Sequence, residues 1–231
     1  MAHHHRQLQR WALTVSATRI SSPELLELPA EAFTKHDPSP DSRFYSEPRF
    51  VTHIDEPAIA AVTRLYAELL PSGGIILDMM SSWVSHLPPE KAFSAVIGHG
   101  LNQRELDANP RLTRRFVQDL NADPHLPIES ASVDAALICV SVQYLQQPVT
   151  VLSEVARVLR PGSPVIVSFS NRCFPTKAVA IWTALDAMGH AQLVDVYLRR
   201  AGFARTETRV LIPDGGPSDP MTAAVGWFAP E

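Results

Sequence analysis

Between residues 70 and 230, short apolar runs alternate with stretches whose apolar residues recur every three or four positions. The runs 74–78, 92–98, 115–118, 133–141 and 165–170 are short and bounded by turn residues, so they read as strands. Ahead of them, Ile59, Val62, Leu65, Tyr66 and Leu69 repeat at helical spacing across 55–70. Asp55 is placed to cap that helix and Pro57 falls in its first turn. Helical spacing recurs at 103–109 (short), at 149–159 (Val151, Leu152, Val155, Val158, Leu159), at 176–188, and at 191–201 before Gly202. Runs 206–212 and 222–228 flank Pro213-Asp214-Gly215-Gly216-Pro217 and predict a closing pair of strands. Strands alternating with helices predict a mostly parallel sheet covered on both faces. Such sheets bind ligands outside the carboxyl ends of their strands, so the chemistry is expected directly after each run.

The N-terminal part carries a weaker pattern. Leu8, Trp11, Leu13 and Val15 are compatible with a helix or a short strand, and Ser22-Pro23-Glu24 with a helix start. The 20 prolines outnumber the 10 glycines and cluster at 23–57 and 213–230. These regions are expected to be extended and turn-rich.

Composition narrows the class. With 231 residues, 45% hydrophobic and 19% charged, one globular domain is expected, 55–231, behind an N-terminal extension or lid, 1–54. A net charge of -4 gives no basic footprint for nucleic acid. Cys139 and Cys173 are too few for a disulfide framework and predict reduced thiols in a cytoplasmic protein. No apolar run reaches the roughly 20 residues of a membrane span. His3-His4-His5 at the terminus reads as a metal-binding tract or a tag, and no function is given to it. No Cys/His cluster has metal-ligand spacing, so no metal is expected.

The segment Phe116-Val117-Gln118-Asp119-Leu120-Asn121, then Leu126-Pro127-Ile128, then Ser132-Val133-Asp134-Ala135-Ala136-Leu137, resembles class I S-adenosylmethionine-dependent methyltransferases. Arg157-Val158-Leu159-Arg160-Pro161-Gly162 is similar to that family's helix-to-turn signature before the fifth strand, and is the most specific part of the match. More narrowly, Asp78-Met79-Met80-Ser81-Ser82-Trp83 and Ser168-Phe169-Ser170-Asn171-Arg172 resemble a little-characterised, type 11-like branch. The resemblance implies a Rossmann-like fold, with a mostly parallel seven-stranded sheet, helices on both faces and a C-terminal antiparallel hairpin.

Two departures concern the cofactor. The family's first loop has the form Asp-x-Gly-x-Gly-x-Gly, whose glycines admit close backbone approach; here Met80, Ser82 and Val84 stand in those places. The family's second strand ends in an acid that binds the ribose hydroxyls; here Gly100 stands there. Either binding has been lost and the fold is a scaffold, or polar neighbours such as Ser81, Ser82, Ser85 and Asn102 have taken over.

By resemblance, Asp119 and Leu120 contact adenine, with Asn121 beside them, and Asp78 holds the ammonium group. Met79, Ser81, Ser82, Trp83, Gly100, Leu101 and Asn102 complete the first two loops, and Val140 and Ser141 follow the fourth strand. Asp78 and Asp119 read equally as local caps. Arg49 and His53, in the lid, would meet the cofactor carboxylate, with Tyr45 near the sulfonium. Tyr45, Gln143, Tyr144 and Asn171 are the candidates facing the reacting group. His86 and His99 are possible bases, although lone histidines at strand ends are more often structural.

The expected function is methyl transfer from S-adenosylmethionine to a small molecule, with neither nucleic acid nor membrane as partner. Oligomeric state is left open. An alternative is cyclisation of S-adenosylmethionine itself to azetidine-2-carboxylate and methylthioadenosine. Another is a non-catalytic scaffold.

Overall fold

The computed structural model describes residue 25 and residues 27–229. The expectations for residues 1–20, for the Ser22-Pro23 helix start and for the N-terminal histidines lie outside the described residues.

The sheet strands are β1 (Ile75–Met79), β2 (Ala95–Gly100), β3 (Arg114–Val117), β4 (Ala135–Cys139), β5 (Pro164–Phe169), β6 (Arg205–Ile212) and β7 (Met221–Trp227). They lie in the order β3-β2-β1-β4-β5-β7-β6. The first five are parallel, and β7 joins β5 and β6 antiparallel. The chain reverses direction across the sheet between β1 and β4, so the carboxyl ends of those strands flank the crevice where open sheets bind ligands.

Alternating side chains feed two cores, as a period of two requires. Leu77 and Met79 of β1 enter one, together with Ala136, Ile138, Val165 and Val167. Ile76, Ala135, Leu137 and Ile166 enter the other. The first core is covered by α3 (Pro148–Val158) and α5 (Ala187–Arg200), through Val151, Leu152, Val155, Leu193, Val194 and Tyr197. The second is covered by α1 (Glu56–Leu69) and α2 (Gln103–Ala108), through Ala58, Val62, Leu65 and Leu106. Asp55 caps α1 by accepting from the Ala58 amide at 3.0 Å, with Pro57 in the first turn.

One predicted element is broken. The helix expected over 176–188 is instead α4 (Ala180–Ala184), a break at Leu185, and the start of α5 four residues before position 191. The cause is Asp186, whose carboxylate accepts from the Gly189 amide at 2.9 Å and so opens a new helix.

The segment before α1 crosses the carboxyl ends of the strands. Lys35 bridges to Val179, and the Asp37 amide donates to the Thr176 carbonyl at 2.9 Å. The Lys177 side chain, 0% exposed, ends between Asp37, Ser39 and Asp41. At the other end, Asp55 and Asp219 exchange amide–carboxylate bonds, both 2.9 Å. Among the described residues, no helix is long and apolar enough to cross a membrane.

Candidate active site

A cavity of about 250 Å³ opens at the carboxyl ends of β1, β2 and β4, under the segment 41–53. Its floor includes Asp78, the penultimate residue of β1, which is 5% exposed. One carboxylate oxygen accepts from the Ser81 hydroxyl at 2.6 Å and from the Ser85 hydroxyl at 2.5 Å. Burial pushes this carboxyl up to about 6, and the two hydroxyls restrain the rise.

The loop after β1 turns without glycine. Met80 takes the left-handed conformation itself, at φ 52°. Its amide donates to His99 Nδ1 at 3.1 Å. Since Nδ1 accepts, the proton is on Nε2, which donates to the Gln118 carbonyl at 2.8 Å. His99 thus joins the ends of β1, β2 and β3. It is 2% exposed, and burial holds its pKa down to about 4, so it is neutral. The Ser81 amide donates to the His99 carbonyl at 2.7 Å, which draws the loop over the end of β2. There a Cβ on Gly100 would lie 2.5 Å from the Ser81 carbonyl oxygen. No side chain fits at position 100 while the loop takes this course.

Asn102 follows, buried. Its carbonyl oxygen accepts from the Arg104 and Glu105 amides, and its amide nitrogen donates to the Tyr45 and Ser46 carbonyls. Glu105, in the first turn of α2, lines the cavity and accepts from the Arg49 amide at 2.6 Å. Its pKa is raised, chiefly by burial.

The opposite wall comes from β4, β5 and the overlying segment. Val140, just past β4, is left-handed at φ 45°, a strained conformation for a β-branched residue. It is held by its amide to the Ser168 carbonyl (2.8 Å) and by Gln143 Nε2 to its own carbonyl (2.9 Å). The neighbouring Ser141 hydroxyl is buried against the cavity with no partner among the described residues. The Arg49 guanidinium sits over Phe44, Tyr45 and Phe174, at 4.6, 5.6 and 5.4 Å from the ring centres. The Tyr144 hydroxyl accepts from the Phe174 amide at 2.9 Å, and burial raises its pKa to about 12. His53 packs edge-on to Phe174, and His86 lines the same cavity. Both imidazoles are held below their usual pKa by burial.

A methyltransferase domain family model matches residues 81–167. That match takes in the first loop, β2 to β4 and most of β5, the strands that border the cavity. Solved structures share its fold at low identity. A Haloferax volcanii protein in complex with a methyltransferase activator has a TM-score of 0.57 at 16% identity, over 75% of this chain and 91% of that one. An Aquifex aeolicus S-adenosylmethionine-dependent methyltransferase scores 0.54 at 16% identity, over 84% and 99%. A [4+2]-cyclase, SpnF, also scores 0.54 at 16% identity, over 74% and 81%. No curated protein matches the chain.

Most of the residues named from sequence meet around the cavity. These are Tyr45, Arg49, His53, Asp78, Met79, Ser81, Ser82, Gly100, Leu101, Asn102, Asp119, Leu120, Asn121, Val140, Ser141 and Tyr144. Three do not. Gln143 is 0% exposed and holds the Val140 and Arg172 carbonyls, so it shapes the wall from behind. Asn171 turns outward to solvent after β5. Trp83 lies outside the lining and donates to the Val51 carbonyl at 3.0 Å, tying the first loop to the overlying segment.

Two lining residues have their side chains engaged in holding the protein together. Asn102 is saturated, as described. Asn121 donates to Asp41 and to the Tyr144 carbonyl and accepts from the Gln146 amide. Sequence reasoning missed Glu105 and Phe174. The pattern Asn102-x-x-Glu105 reads as a capping box, which disguises a cavity carboxylate as a helix end. Nothing in the sequence marked Phe174.

Proposed function

We propose that the protein transfers a methyl group from S-adenosylmethionine to a small molecule. One observation carries the reading. Asp78, Glu105 and Asp119 all line the cavity, and each has one oxygen bonded within the protein and one without a partner among the described residues. Three half-free carboxylates suit a ligand that carries an ammonium group, a sugar diol and an exocyclic amine, and the unpartnered Ser141 hydroxyl adds a fourth polar contact. A scaffold that had lost its ligand has no use for these groups or for the strain at Val140.

In this assignment Asp119 and the Leu120 amide take adenine, and Asp78 takes the ammonium group. Glu105 takes the ribose hydroxyls, since Asn102 is saturated. Residues 41–53 act as the lid, with Arg49 and Tyr45 over the site. The bound cofactor supplies a methyl group on positively charged sulfur, ready for in-line displacement. The chain has to align the two reactants and exclude water. Glu105→Gln should weaken S-adenosylmethionine binding about tenfold, corresponding to about 1.4 kcal/mol for a weakened hydrogen bond to a charged group. Calorimetry on the full chain measures it, and unchanged affinity would count against the ribose assignment.

A second reading, cyclisation of the cofactor to azetidine-2-carboxylate and methylthioadenosine, is favoured by one feature: the rebuilt glycine-free loop lies at the cofactor's amino-acid end. Incubation with S-adenosylmethionine alone separates the two. Methylthioadenosine and a cyclic amino acid would replace the methyltransferase reading, whereas S-adenosylhomocysteine formed only with a second substrate supports it.

A further inference from the structure

We infer that His86 is the proton acceptor of this site, and that the group it deprotonates is a phenol-type hydroxyl on the methyl acceptor. The inference rests on the methyltransferase reading.

The other ionisable groups around the cavity are engaged or unsuited. Asp41 is paired with Lys35 and Lys177 and accepts from Asn121. Both nitrogens of His99 are bonded to backbone. The Cys139 and Cys173 thiols are pushed up by burial and stay protonated. Tyr45 and Tyr144 are likewise pushed up and stay neutral. Asp78, Glu105 and Asp119 each hold protein donors and answer to the cofactor. His53 and His86 differ from all of these: both face the cavity, and neither ring has a hydrogen-bond partner among the described residues. Burial keeps both neutral, with Arg49 opposing charge on His53 and His53 opposing it on His86. A neutral imidazole with an unused lone pair is the form a general base needs. The backbone at His86 is anchored, its carbonyl accepting from the Thr63 hydroxyl at 3.0 Å.

The surroundings select the acceptor. Tyr45, Phe174 and Tyr144 line the cavity and form successive ring contacts, a wall suited to a flat apolar body, with Phe44 packed behind it. The Arg49 guanidinium within that wall favours a developing oxyanion and opposes an ammonium, so a hydroxyl is preferred over an amine. The hydroxyl proton passes to a ring nitrogen of His86. An oxygen lone pair forms the new C–O bond while the methyl carbon–sulfur bond breaks, and sulfur keeps that electron pair as a neutral thioether.

The test uses the full chain, the variant His86→Gln, and two probes, 4-nitrophenol and 4-ethylphenol. Calorimetry with S-adenosylmethionine comes first, and no binding by the unaltered protein overturns the methyltransferase reading itself. With binding in hand, 4-nitrophenol is titrated at a pH below its own ionisation. The unaltered protein should give the phenolate absorption band and His86→Gln should not, with cofactor affinity unchanged. Methylation of 4-ethylphenol should fall about 100-fold in His86→Gln, the usual scale of a general base. Methylation of 4-nitrophenol at a pH where it is already ionised should hardly change. Equal losses on both probes, a phenolate band that survives in the variant, or a fall in cofactor affinity would overturn the base assignment. Failure of either phenol to bind or react, or transfer to phenethylamine instead, would overturn the hydroxyl assignment.

Discussion

Asp78 answers two opposed requirements: a ligand site needs its negative charge, and the fold would be more stable without it. Its folded pKa of about 6 lies above the ordinary 3.8, so the native state holds the proton more tightly than the unfolded chain. Stability from this group is therefore present below the ordinary value and lost as pH rises toward about 6, a loss of about 3 kcal/mol at 1.36 kcal/mol per pKa unit. Asp78→Asn keeps an acceptor for Ser81 and Ser85 without the charge. Its stability relative to the unaltered protein should rise by about 3 kcal/mol between pH 3.5 and pH 8, measured by urea unfolding, while cofactor binding falls. His99 works with the opposite sign. Its folded pKa of about 4 lies below the ordinary 6.5, so its contribution is full above 6.5 and lost as pH falls toward about 4. In the unaltered protein the two slopes oppose each other across that window, and in Asp78→Asn the His99 loss should stand exposed.

At the scale of elements, the first loop and the end of β2 form one unit. The loop leaves β1 through a left-handed Met80, is anchored to His99 through both Met80 and Ser81, and occupies the space a side chain at position 100 would need. The course of the glycine-free loop thus explains why the end of β2 carries glycine and no acid. Gly100→Ala should lower stability by about 1–3 kcal/mol, the usual range for overpacking, because the contact is with backbone and cannot be relieved by a rotamer change. It should also displace the loop and weaken ligand binding; thermal unfolding and calorimetry would both register it. Both departures were visible in the sequence as missing residues. Their connection was not, since it depends on a carbonyl oxygen crossing a neighbouring strand. The same holds for Asn102, whose bonds to Tyr45 and Ser46 span more than fifty positions of chain.

At the scale of the whole molecule, the cavity exists because the segment before α1 is fastened at both ends. Lys177 is the inner fastening, a buried ammonium among Asp37, Ser39 and Asp41. Breaking a buried ion pair by removing one partner typically costs about 3–5 kcal/mol, because the other charge stays buried. Lys177→Met should destabilise by about that amount and open the stretch around residues 36–53 to limited proteolysis. Equal protease resistance in the two proteins would show that the segment is held by other contacts.

Local pattern along the chain was enough to specify the sheet, most of the helices and which strand ends border the cavity. These depend on local periodicity and on caps such as Asp55, which act within a few residues of themselves. The resemblance to a methyltransferase domain was legible for the same reason, from contiguous motifs such as Asp119-Leu120 and Arg157–Gly162, both inside the matched residues. Which polar residues are free to meet a ligand was settled by folding. It turned Gln143 behind the wall, Asn171 to solvent and Trp83 onto Val51, saturated Asn102 and Asn121, and brought Glu105, His53 and His86 to one cavity. A side chain's availability depends on partners brought close by folding, and their distance along the chain leaves no local pattern to read.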